Sequence, residues 1–142
     1  MGFQELFESF DKKKRKSHFK NLLAVAMADG NLGEQEFSLI MSMAEKCYMS
    51  PDEVQRVIDH PSQIRFYAPK TNRERFEQIY DLVAVMLADG KIHDNEKEVC
   101  KFFAIKLGFK PDIVNALVMD MIDDAIHGIA KEVALQKMLG HA

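Results

Sequence analysis

The sequence predicts an all-α fold: a single compact domain of about seven to eight helices, built from two diverged copies of one helical unit. Three observations support this. Apolar residues recur at helical spacing along most of the chain, no stretch alternates with the period of a strand, and part of the first half matches a segment 60 residues later. We expect the two halves to share one core and to superpose through a rotation close to two-fold.

The internal repeat is clearest when residues 22–58 are aligned with residues 82–118, because 12 of these 37 positions are identical. Ordinary composition would give roughly two or three identities. We therefore predict one domain over residues 1–142 with four parts: a first repeat over about 17–59, a connector over 60–71, a second repeat over about 72–127, and a C-terminal helix over 130–139.

Each repeat is predicted to open with an amphipathic helix. Apolar residues are spaced i, i+3, i+4, i+7 in both, at Phe19, Leu22, Leu23 and Ala26 and at Phe76, Ile79, Tyr80 and Val83. Both helices run into Ala-Asp-Gly, and glycine is the usual residue where a helix ends in a left-handed turn. We therefore expect positive φ at Gly30 and Gly90.

A second helix is predicted to begin near Glu34 and near Asp94. Its apolar positions are Ile40, Met43, Ala44 and Cys47 in the first repeat and Val99, Phe102, Phe103 and Leu107 in the second. Methionines in these helical patterns, Met27 among them, are expected in the core, and so are the two cysteines. A short helix over about 2–10 is predicted to precede the first repeat.

A third helix is predicted to open at Pro51 and at Pro111, because proline is well tolerated at the first helical position. Ser50 and Glu53 have the spacing of a capping box, and Thr71 with Glu74 repeats it before the second repeat. Farther along, Asp120, Asp123 and Asp124 are expected on the exposed face of a helix.

The charge distribution argues against nucleic acid as a partner. Five of the 19 basic residues form the run 12–16, which leaves 14 basic against 22 acidic residues, or −8, elsewhere. That acidic remainder repels phosphate, and no aromatic residue interrupts the run to stack on bases. We predict that the run is a solvated segment. No apolar stretch reaches the length of a membrane span, and no signal peptide is recognisable, so a cytoplasmic location is expected.

No catalytic constellation is visible. The sequence contains no Gly-x-Ser-x-Gly, no P-loop and no His-Glu-x-x-His, so hydrolysis by a serine nucleophile, nucleotide binding and zinc proteolysis lack support. The expectation is a non-enzymatic protein.

The repeated element with chemical content is Asp-Gly-x5-Glu, which places Asp29 with Glu36 and Asp89 with Glu96. It matches the back half of an EF-hand loop, but hydrocarbon side chains stand where the first ligands would be, so an EF-hand is rejected. Each glutamate would be the third residue of a helix, where a carboxylate can cap free amide groups. The same geometry would also suit a divalent cation, and the residues alone leave both interpretations open.

At these loops the chain resembles the TerB-like domain family, named for tellurite-resistance protein B. The resemblance rests on paired Ala-Asp-Gly-x-[Leu/Ile]-x3-Glu elements at 28–36 and 88–96. It implies a compact fold of about seven helices with pseudo-two-fold symmetry, and a role in bacterial tellurite or stress responses. It also implies a metal site at Asp29, Glu36, Asp89 and Glu96. The chain departs from the family pattern in having Gly33 and His93 where a Ser or Thr cap is common.

The resulting hypothesis is a stand-alone binding module whose acidic loops bind a divalent cation or dock a protein partner. Calcium, magnesium or manganese is expected rather than zinc, because the repeated groups are oxygens and only His93 offers nitrogen. Two alternatives stay open at this point: a metal-dependent enzyme that uses the paired loops, and a purely structural scaffold.

Overall fold

The computed structural model describes residues 10–28, 34–46, 48–88, 90 and 93–140, without the side chains of residues 10, 11, 36 and 46. Over these residues the chain forms seven α-helices and no strand, which confirms the all-α prediction. The helices are α1 (Phe10–Ala26), α2 (Glu34–Lys46), α3 (Pro51–Asp59), α4 (Asn72–Met86), α5 (Asp94–Lys106), α6 (Pro111–Ile126) and α7 (Lys131–Gly140). A 3-10 turn at Pro61–Gln63 lies in the segment between α3 and α4.

Helices α1 and α4 form the centre of the molecule. They pack on each other, α1 also contacts α2, α3 and α5, and α4 also contacts α2, α5, α6 and α7. The predicted apolar stripes supply the contacts, because Leu22, Val25, Leu82 and Val85 are all at most 1% exposed. The described residues therefore share one core, as the matched periodicity predicted.

Helix boundaries recur 60 residues apart. Helix α2 begins at Glu34 and α5 at Asp94, and both have 13 residues. Helices α3 and α6 both open on a proline, Pro51 and Pro111, as predicted. The helices α1 and α4 end at Ala26 and Met86. The correspondence seen in the sequence thus extends to where the helices start and stop.

The predicted caps are present. Ser50 and Glu53 form the reciprocal capping box at the start of α3, with the Ser50 Oγ accepting from the Glu53 amide at 3.2 Å. Thr71 caps α4 by accepting from the Glu74 amide at 3.1 Å. These bonds satisfy amide groups that the first turn of a helix leaves without backbone partners.

Gly90 has φ 79, which confirms its predicted left-handed conformation, whereas Gly30 lies outside the described residues. Two further positive φ values stand 60 residues apart, at Tyr48 and Gly108. Cys100 is fully buried as expected, while Cys47 and the helix predicted over residues 2–10 fall on residues that are not described, apart from Phe10 at the start of α1.

Three expectations about burial are wrong. Met27 and Phe102 were assigned to the core, yet they are 47% and 56% exposed. Asp124 was assigned to the exposed face of its helix, yet it is buried and pairs with Lys137 of α7 at 2.8 Å. In each case the periodicity identified the correct helix, and the packing of neighbouring helices decided which positions at the edge of the apolar stripe were covered.

None of the described helices combines the length and the apolar character that a bilayer crossing requires.

Candidate acidic-loop site

Of the four acids predicted to bind metal, the structure describes the side chain of Glu96 alone. Asp29 and Asp89 lie outside the described residues, and Glu36 is described as part of α2 without its side chain. The prediction that these four residues converge is therefore carried forward as a prediction, and the described geometry concerns the second loop.

Glu96 is the third residue of α5, and His93 is its N-cap, as the sequence predicted. His93 has extended backbone dihedrals, φ −100 and ψ 131, and its side chain makes no capping hydrogen bond. Glu96 is only 1% exposed, and the His93 Nε2 lies 3.7 Å from its Oε1. The second loop thus holds a buried carboxylate and an imidazole within ion-pair distance.

The charge of Glu96 is felt one helical turn away. Burial raises the pKa of the Cys100 thiol, and the negative charge of Glu96 raises it further, to about 12. Cys100 therefore stays a neutral thiol at neutral pH and is neither a nucleophile nor a thiolate ligand. It acts as an apolar side chain of the core.

A buried carboxylate carries a large desolvation cost unless positive charge compensates it. At Glu96 the positive end of the α5 dipole contributes, and His93 contributes when it is protonated. A divalent cation bound by the same loop would contribute more. Within the described residues no three His, Cys, Asp or Glu side chains are grouped closely enough to hold a metal ion, so a complete site requires residues such as Asp89.

The basic run at 12–16 is not the solvated segment that we predicted. It forms part of α1, where Lys12 and Lys16 reach Glu53 at 2.8 and 3.7 Å, and Lys14 reaches Glu74 at 3.3 Å. Both glutamates are third residues of helices, α3 and α4. The lysines therefore bind the N-terminal ends of two helices inside the fold, which leaves less positive charge for an external polyanion.

Glu53 is strongly stabilised as a carboxylate. Burial raises its pKa, but hydrogen bonds from Lys12 and from the Ser50 amide outweigh that effect and hold the pKa at about 2. The negative charge also meets the positive end of the α3 dipole.

A second polar cluster joins three helices and had no signal in the sequence. The His18 Nε2 lies 2.9 Å from one carboxylate oxygen of Asp81, and the Lys131 Nζ lies 2.9 Å from the other. Burial raises the pKa of Asp81, and its contacts with His18 and Lys131 lower it by more, so the net shift is downward. The pairing joins residues 63 positions apart, which no local pattern could reveal.

Comparison with known proteins adds no family assignment, since no protein-family model, curated protein or solved structure matches this sequence. The resemblance to TerB-like domains therefore rests on the paired loop motifs themselves.

Proposed function

We propose that this chain is a stand-alone, TerB-like, non-enzymatic binding module of the bacterial stress or tellurite-resistance type, whose acidic loops bind a divalent cation. The observation that carries this proposal is the burial of Glu96, which is 1% exposed beside His93 in the second Asp-Gly-x5-Glu element. A protein tolerates such a carboxylate where compensating positive charge is available, and a bound cation supplies it.

The proposal includes an internal duplication, so that the two loops are copies of one device. Three facts support it. Helix boundaries recur 60 residues apart, and the contacts of α1 with α2, α3 and α5 have counterparts in those of α4 with α5, α6 and α2. Lys14 and Glu74, themselves 60 residues apart, meet at 3.3 Å, as equivalent residues do near a two-fold axis.

The donor set favours a hard cation. Carboxylate oxygens are the ligands that calcium, magnesium and manganese prefer, whereas zinc is usually held by sulfur and nitrogen. The Cys100 thiol, with its pKa of about 12, is not available as a thiolate. His93 supplies the nitrogen of the second loop, and Lys91 places a positive charge there where the first loop has Asn31. We therefore expect the first loop to bind more tightly.

The test is thermal unfolding of chelator-stripped protein with added calcium, magnesium, manganese or zinc. A ligand that binds only the folded state stabilises it by about 2.7 kcal/mol at one hundred times its Kd, so the melting temperature should rise with cation concentration. Glu96→Gln should remove the contribution of the second loop. Glu98→Gln is the matched control, because Glu98 lies on the same helix with its side chain 69% exposed.

The capping interpretation makes the opposite prediction. If Glu96 serves only the first turn of α5, Glu96→Gln should cost on the order of 1 kcal/mol whether or not cation is present. A melting temperature that stays constant up to millimolar concentrations of all four cations would overturn cation binding. An unchanged cation response in both Asp29→Asn and Glu96→Gln would place any bound cation elsewhere.

A further inference from the structure

Helix α5 presents two large apolar side chains to solvent. Phe102 is 56% exposed and Ile105 is 45% exposed, one helical turn apart. The residues 60 positions earlier, on α2, are Ser42 and Glu45, which are exposed and polar. The two helices occupy corresponding places in the chain, so the fold does not require apolar residues at these positions. Isolated exposed apolar residues are ordinary, but two on one face beside an ordered cation call for a separate explanation.

A lysine organises this surface. The Lys106 Nζ lies 4.5 Å from the ring centroid of Phe66 and 5.6 Å from that of Phe102, both within the range of a cation–π interaction. The Phe102 ring also packs edge-on against Phe103, which is buried, with centroids 5.5 Å apart. We call the set of Phe66, Phe102, Ile105 and Lys106 the Phe102 surface. Its exposed aromatic ring is supported by a core residue on one side and by a positive charge on the other.

We propose that the Phe102 surface docks an amphipathic segment of another protein, one that brings apolar side chains flanked by carboxylates. The apolar anchors would pack on Phe102 and Ile105, and a carboxylate would pair with Lys106. Aromatic anchors beside a fixed charge are typical of the residues that dominate binding energies at interfaces.

Charge selects among the possible occupants. Residues 98–110 contain three lysines and one glutamate, a net charge of +2 in a chain of −3, and the glutamate, Glu98, already pairs with Lys101 at 3.3 Å. A second copy docked by a two-fold axis would set Lys106 against Lys106, which is repulsive. An acidic partner meets no such repulsion. With two principal anchors the interface is small, so we expect weak, transient binding.

The experiment uses two fluorescein-labelled synthetic helical peptides with identical leucine spacing, one carrying glutamate and the other lysine on the polar face. Anisotropy titrations are made with the full chain in the presence of a chelator, so that the outcome is independent of cation binding. We expect the glutamate peptide to bind about tenfold more tightly than the lysine peptide. Phe102→Ser, which installs the residue that α2 carries, should weaken that binding at least about tenfold, and Lys106→Gln should narrow the difference between peptides.

Phe37→Ser is the matched control, because Phe37 is 44% exposed on α2, outside the Phe102 surface. It should leave binding unchanged, and melting curves should show all three variants folded. Equal affinity for the two peptides, or an equal loss in Phe37→Ser, would overturn the proposal. So would self-association in sedimentation velocity that Phe102→Ser abolishes, since the occupant would then be a second copy. Binding seen only after removal of residues 1–9 would also overturn it, by making the chain's own N-terminal segment the occupant.

Discussion

The turns that follow α2 and α5 have the same backbone and different residues. In the first, the Tyr48 amide donates to the Glu45 carbonyl at 3.0 Å and the Met49 amide to the Ala44 carbonyl at 3.0 Å. In the second, the Gly108 and Phe109 amides make the same two bonds, at 3.0 and 3.1 Å, sixty residues later. This is the Schellman pattern, which needs a left-handed residue after the helix. Gly108 adopts it with φ 113, and Tyr48 adopts it with φ 57 despite its Cβ.

That difference teaches that the surrounding fold imposes the turn. A tyrosine in the left-handed region is strained, so neighbouring contacts must supply more than the strain costs. Met49 is buried beyond Tyr48, while Tyr48 itself is 83% exposed. The anchoring residue after the turn therefore holds the backbone in place, and the residue at the left-handed position is free to vary.

The starts of α3 and α6 differ in the opposite sense. Helix α3 has nine residues, buries two of them, Val54 and Val57, and carries the Ser50–Glu53 capping box. Helix α6 has 16 residues, and its N-cap, Lys110, makes no side-chain capping bond. It buries five apolar residues instead, Val114, Leu117, Val118, Met121 and Ile122. A short helix with little burial depends on its cap, and a long, well-buried helix does not.

The largest effects should come from the shared core. Leu22 and Leu82 stand at corresponding positions of α1 and α4 and are 1% and 0% exposed. Each leucine-to-alanine substitution should destabilise by roughly 2–5 kcal/mol, through lost burial and the cavity left behind. Urea denaturation of both variants measures this. Costs that differ by several kcal/mol would argue against equivalent roles for the two helices.

The two turns provide a prediction of opposite sign. Gly108→Ala should destabilise by about 1–2 kcal/mol, because an L-residue is strained at φ 113 even though a Cβ there would make only ordinary contacts with Arg75. Tyr48→Gly should stabilise by about 1 kcal/mol, since it relieves the strain at an exposed position. Denaturation midpoints of the two variants and the wild type decide this. A loss of stability in Tyr48→Gly would show that the tyrosine ring makes a contact worth more than the strain.

Glu53 should make stability depend on pH. Its folded pKa, about 2, lies below its ordinary value of 4.5, so the stabilisation is fully present above that ordinary value and is lost as pH falls toward 2. Because the charges are partly screened by solvent, we expect about 1 kcal/mol from this group. Glu53→Gln should lower the free energy of unfolding at pH 7 and have much less effect at pH 2.5. An equal cost at both values would mean that the glutamate acts through packing rather than charge.

The sequence predicted the features that local rules control. Pro51 and Pro111 set helix starts, Ser50 and Thr71 cap, and Gly90 turns left-handed, because each effect depends on a few neighbouring residues. It missed the pairs of Lys12 with Glu53 and His18 with Asp81, which join distant helices.

The errors at the core and the open questions at the site have a related cause. Phe102 and Phe103 are adjacent, so both fall within a wide apolar stripe, and only the packing of neighbouring helices covers one and exposes the other. At the candidate site, the N-terminal position of Glu96 in α5 was predicted from spacing, whereas its burial was not. Spacing fixes where a carboxylate sits on a helix, and tertiary contacts fix how much water it keeps.

The smallest expected effect tests whether burial has replaced capping at α6. Lys110→Ser with Ile113→Glu would install at its start the spacing that Ser50 and Glu53 have in α3. Ile113 is 49% exposed, so its replacement removes little core contact, and Lys110 already has extended N-cap dihedrals, φ −67 and ψ 136. A new capping box should add roughly 0.5–1 kcal/mol, while Ser50→Ala in α3 should cost about 1 kcal/mol. Denaturant unfolding of both variants measures the two effects. A gain at α6 means that its first turn still has amide groups to satisfy, whereas no gain beside a clear loss at α3 means that packing alone already fixes the start of α6.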